Sequence, residues 1–140
     1  MAIDFDFGLK QRKVTMSALD EFARLSGKLF VGGKYISSTT TAHLDVIEPA
    51  TEDRLGQIAD ATDSEVDHAI DVASLARRKW LSMDARSRAV VLHDIAAVIR
   101  RDKSQFAEFL TREEGKPFKE SVDEVSWCAT AIDYYAELAR

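Results

Sequence analysis

The residues here that could do chemistry are three histidines, one cysteine and the Glu113–Glu114 pair. His43, His68 and His93 are spaced 25 residues apart. None has a metal-ligand partner at helical or loop spacing. His68 and His93 fall among charged residues on predicted helices and read as solvated surface histidines. Cys128 lies between Trp127 and Ala129 in an apolar helical stretch. A nucleophilic thiol needs a nearby base, cation or helix N-terminus, none is written beside it, and a buried core cysteine is expected. Glu113 and Glu114 cannot share an acid–base site, because adjacent helical residues point in different directions. Glu113 is nevertheless odd. It continues the apolar face of Phe106, Phe109 and Leu110 in a last turn, where the helix dipole disfavours an anion. Either a cation lies near it, or the end is frayed and the acid faces water or pairs with Arg112 or Lys116. The residues alone favour the frayed end.

The elements that must position these groups can be read in order. The first 27 residues, through Gly27, carry little information. Leu19, Phe22, Ala23 and Leu25 allow a short amphipathic helix, and an extended or mobile arm fits equally well. Leu29–Val31 and Tyr35–Ile36 flank Gly32-Gly33-Lys34, a hairpin signature. A strand follows these glycines, which excludes a phosphate cradle with its helix directly after. Leu44–Ile47, ended by Pro49, and Arg54–Ala59 make a second hairpin. Four helices are predicted next. Thr62 and Glu65 form a capping box, followed by the face Val66, Ala69, Ile70, Ala73, Ala76 and Trp80. Asp84 caps a helix with Ala85, Ala89, Leu92, Ile95, Ala96 and Ile99 on its stripe. Asp102 caps the third. Gly115 ends it as a left-handed residue, and Pro117 starts the fourth at its first helical position. That last helix carries two apolar stripes: Val122, Val125, Ala129, Ile132, Ala136 and Ala139; and Trp127, Ala131, Tyr134 and Leu138. A helix apolar on two sides needs two partners, and no stop signal follows it. A chain cut within a larger fold is expected.

Composition sets the class. The 140 residues carry 46% hydrophobic and 31% charged side chains with a net charge of −5, as in a soluble globular domain. The acidic balance and the short basic runs argue against nucleic acid. No apolar run approaches the roughly 20 residues of a membrane span. A single cysteine fits a reducing, cytoplasmic setting, and the acids of the first 27 residues argue against a transit peptide.

KLFVGGKYIS, LDVIEPATEDRLGQIADAT, SEVDHAIDVA, Trp80, DARSRAVVLHDIAAVIRR, LTREEGKP and DYYAELA follow one another in this order. As an ordered set they resemble the N-terminal part of the NAD(P)-dependent aldehyde dehydrogenase family, over Lys28 to Arg140. The resemblance implies an α/β parent fold. In it, residues 28–140 form an α-rich part of the cofactor-binding domain, with two N-terminal hairpins and four helices, and residues 1–27 form a preceding arm. It further implies a soluble homo-oligomer that oxidises an aldehyde to an acid, with NAD or NADP as hydride acceptor. The nucleophilic cysteine, the general base and the cofactor-binding residues of the family lie downstream of the DYYAELA-like helix. No catalytic or cofactor-binding residue maps onto this chain, which is expected to be inert alone. One family site does map: a monovalent cation held by the backbone carbonyls of Val46 and Ile47 and the acid of Glu113. The turn departs from the family at Glu48 and Glu52, where Asn and Gly are usual, so the second hairpin is expected to close differently. The alternative is a stand-alone helical interaction module derived from the same fold.

Overall fold

In the computed structural model, residues 18–138 are described. They form helix α1 (Ala18–Leu25), strands β1 (Lys28–Val31), β2 (Lys34–Ser37), β3 (His43–Ile47) and β4 (Arg54–Ala59), and helices α2 (Asp63–Ser82), α3 (Ala85–Arg101), α4 (Lys103–Glu114) and α5 (Phe118–Leu138). Of the two possibilities for the segment before Gly27, the helix is the one taken over residues 18–25. Residues 1–17 lie outside the described part.

Gly32 and Gly33 both have positive φ, at 61° and 79°. This is the backbone a two-residue hairpin turn needs, and it pairs Lys28 with Ser37 through Val31 with Lys34. The second hairpin pairs His43 with Ala59 and carries a register irregularity between Val46 and Ile47. It closes over residues 48–53. Glu48 donates its N–H to the Asp53 carbonyl at 2.9 Å and accepts from the Glu52 N–H at 2.8 Å. Glu52 sits at φ 62°, so a side chain with a Cβ occupies the left-handed position that glycine fills without strain.

The helix starts largely follow their local chemistry. Thr62 accepts from the Glu65 N–H while Glu65 accepts from the Thr62 N–H, a complete capping box. Asp84 accepts from the Ser87 N–H at 2.8 Å. Asp102 departs from expectation: it precedes α4 but makes no side-chain cap bond. Its carboxylate is taken by the neighbouring Arg101 guanidinium, which also holds the Asp102 carboxyl below its ordinary range. Gly115 ends α4 at φ 76°. Pro117 lies just before α5 and not inside its first turn, and its carbonyl accepts from the Glu120 and Ser121 N–H groups.

Small residues make the core. Ala89 and Ala96 on α3, Ala107 on α4, and Ala129 and Ala136 on α5 are fully buried, which lets α5 lie close against α3 and α4. Between α4 and α5, Ser121 is buried with its hydroxyl 2.9 Å from that of Thr111. Val125, Ala129 and Ala136 of the first α5 stripe are buried at this seam, Ala139 lying outside the described residues, whereas Trp127, Tyr134 and Leu138 on the second are exposed. The α2 stripe behaves otherwise than a core face. None of its residues is buried, and Val66 and Ile70 are among the exposed hydrophobics. Helical periodicity marks a face that can be covered, and among the described residues the first hairpin approaches it without burying it. A cavity of about 410 Å³ separates Leu29 and Val31 from Ala69 and Ala73.

Candidate functional site

The turn of the second hairpin docks on the end of α4. Arg112 reaches back to Glu48, with Nη2 3.0 Å from Oε2 and Nε 3.3 Å from Oε1. The carboxylate raises the guanidinium pKa further. Gly115 lies against Pro49, so closely that a Cβ there would be 3.1 Å from the proline ring. These two contacts bring the segment after Ile47 to the last turn of α4. Glu113 stands in that turn and is exposed. Neither neighbouring cation joins it: Arg112 goes to Glu48, and Lys116 goes to Glu114 and Glu124. Among the described residues Glu113 has no hydrogen-bond or ion-pair partner. Of the two frayed-end outcomes, pairing with Arg112 or Lys116 is therefore not the one seen.

Val46 is half-buried and Ile47 is exposed. Carboxylate and carbonyl oxygens are the kind of donor that suits a hard cation. Among the described residues, no three of His, Cys, Asp and Glu group as metal ligands. Glu113 also lines a cavity of about 710 Å³ between α1, β2, α4 and α5, together with Phe106, Phe109, Val125 and Cys128. Cys128 is exposed, which corrects the expectation of a core thiol. It lies on the side of α5 that turns to this cavity, one residue before the buried Ala129.

The histidines separate. His68 is exposed, as expected. His43 is exposed on β3, with Nδ1 2.8 Å from the Thr41 carbonyl. His93 is partly exposed but, unlike a freely solvated surface histidine, it is paired at both ring nitrogens. Its Nδ1 is 2.7 Å from Asp133 and its Nε2 is 2.8 Å from Glu137, both on α5. Hydrogen bonds to Asp133 and then Glu137 raise its pKa above the ordinary 6.5. Asp133 and Glu137 lie four apart in the sequence, a visible sign of a shared helical face, but their partner on another helix is not written locally.

Residues 35–140 match the family model described as "Aldehyde dehydrogenase family". This chain belongs to the aldehyde dehydrogenase family. It is 31% identical over 113 residues to the D-glyceraldehyde dehydrogenase (NADP(+)) of Thermoplasma acidophilum, covering 81% of this chain and 23% of that protein. Its fold superposes on 3,6-anhydro-L-galactose dehydrogenase in complex with NAP with a TM-score of 0.77 and 35% identity, over 82% of this chain and 24% of that one. It superposes equally on lactaldehyde dehydrogenase from Escherichia coli, with a TM-score of 0.78 and 32% identity, again over 82% and 24%. The chain thus spans about a quarter of the relatives it matches. The family fold is α/β, and this part of it is helix-rich with two antiparallel strand pairs.

Proposed function

We propose that this chain forms the N-terminal part of an oxidoreductase that oxidises an aldehyde to a carboxylic acid with NAD or NADP as hydride acceptor. The family match over residues 35–140 carries this reading. The chain's own contribution is architectural. Its hairpins and helices build the outer part of the cofactor-binding domain, and α5 offers Trp127, Tyr134 and Leu138 to the remainder of the enzyme. The whole assembles as a homo-oligomer, and the exposed Cys128 thiol fits a reducing compartment such as the cytoplasm. The chemistry itself needs a thiolate, an oxyanion donor and a phosphate-binding loop. None of these maps onto this chain, so it is inert alone.

Glu113, with the carbonyls of Val46 and Ile47, would hold a sodium or potassium ion. The ion would tie the second hairpin to α4 and take no part in the reaction. In the complete enzyme, Glu113→Gln is expected to abolish any difference in melting temperature between sodium and potassium buffers. An unchanged difference removes Glu113 from the site.

The decisive experiment compares two proteins. The 140-residue chain should give no nicotinamide absorbance change with a panel of aldehydes and NAD or NADP. The product of the complete reading frame should reduce one of the two cofactors, at a rate that Cys128→Ser leaves unchanged. A folded complete product that reduces neither overturns the proposal.

A further inference from the structure

His93 has one carboxylate at each ring nitrogen, at 2.7 Å and 2.8 Å. A neutral imidazole has one donor nitrogen and one acceptor nitrogen, and an ionised carboxylate only accepts. A neutral ring therefore satisfies one of the two carboxylates and turns a lone pair toward the other. Both contacts are hydrogen bonds only when the ring is protonated. Asp133 and Glu137 lie one turn apart on the same face of α5, so the charged ring joins two successive turns of α5 to α3. Arg100, further along α3, donates to the second oxygen of Asp133. Among the described residues, the charged groups bonded to the ring are Asp133 and Glu137 from α5, with Arg100 from α3 across Asp133. The His93 and Asp133 side chains are 34% and 30% exposed, and those of Glu137 and Arg100 at the rim 54% and 48%.

We propose that His93 is a pH-sensitive latch between α3 and α5. Protonated, it clips residues 133–137 to α3; deprotonated, it loosens the last turns of α5, which also carry the exposed Tyr134 and Leu138, while Arg100 keeps its hold on Asp133. This does not depend on the proposed enzymatic function. Asp133 and then Glu137 hold the imidazole pKa above its ordinary value of 6.5. The His93 contribution is therefore full below about 6.5 and is lost as the pH rises through the raised folded value. His93 and then Arg100 hold the Asp133 carboxyl below its ordinary 3.8. That side of the contact is present above the ordinary value and is lost as the pH falls through the depressed one. The latch is closed between these two limits.

The test is an NMR titration of the 140-residue chain from about pH 5 to about pH 9, the range in which imidazoles change charge. It follows both ring nitrogens of His93 and the amide protection factors of residues 133–138. The proposal expects the wild-type ring to stay protonated to higher pH than in the Asp133→Asn, Glu137→Gln double variant. It also expects protection at 133–138 to fall as the ring deprotonates, and to be low and independent of pH in His93→Gln. A ring that titrates at the same pH in wild type and double variant overturns the latch. So does protection that passes through the wild-type titration unchanged. The wild-type measurements decide the matter even if a variant fails to fold.

Discussion

Glu65 accepts from the Thr39 and Thr62 N–H groups and from the Ser38, Thr39 and Thr62 hydroxyls. One carboxylate therefore caps α2 and pins the polar loop after the first hairpin. The two backbone donors, Thr39 first, bring its pKa down to about 2 from 4.5. Its contribution is present above pH 4.5 and fades as the pH falls toward 2. Glu65→Gln should lower the melting temperature at neutral pH and shrink its fall on acidification over that interval, as read by circular dichroism. Thr62→Ala should cost about 1 kcal/mol, the ordinary worth of an N-cap, in urea unfolding. Thr62 and Glu65 were legible in the sequence because a capping box is a spacing of three. Ser38 and Thr39 were not, because they arrive from 26 or 27 residues away. Cys128 was misread for a related reason. Apolar neighbours in sequence mark a helix, but which side of it is covered depends on the partner helix. Its exposed thiol should react completely with a disulfide reagent in the native chain, whereas a core thiol would wait for denaturant.

The elements were legible where their ends are local. Both hairpins, the box at α2, Asp84 and the left-handed Gly115 are short-range signals, and the structure has each of them. Asp102 failed as a cap because the adjacent Arg101 competes for its carboxylate. Glu52 is a side chain with a Cβ held in the left-handed conformation. The contacts of Glu48 with Asp53, Glu52 and Arg112 hold the backbone, and residue 52 remains left-handed. That conformation costs a residue with a Cβ about 1–2 kcal/mol, against about 0.5–1 kcal/mol of extra chain entropy for glycine. Glu52→Gly should therefore stabilise the chain by about 0.5–1 kcal/mol in urea unfolding. At the α5 seam the alanines leave no room, and Ala129→Leu should destabilise by about 1–3 kcal/mol.

Across the whole molecule, the core is a seam of small side chains and most large apolar ones are at the surface. Trp127 is 78% exposed and Tyr134 61%. Three large apolar groups along one helix form a strip that soluble monomers seldom leave bare. In a Trp80→Phe background, Trp127 emission should be quenched by acrylamide nearly as fully as a free indole. A blue-shifted, protected Trp127 would show that the strip is covered. The candidate cation ligands fall between the scales. Glu113 could be singled out by its place at the negative end of α4, and Val46 and Ile47 only by resemblance, because a carbonyl ligand leaves no mark on residue type.

The bare underside of α2 has a consequence for how the chain opens. Twenty residues of helix with no buried side chain are pinned at their first turn through Thr62, Glu65 and the Ser38–Thr39 loop. Little apolar area has to be re-exposed to unwind them, so their opening does not require the α3–α4–α5 seam to come apart. The chain should then breathe in two parts under native conditions. Deuterium should enter the α2 amides first, as a group, while those around Ala96 and Ala129 exchange only when everything unfolds.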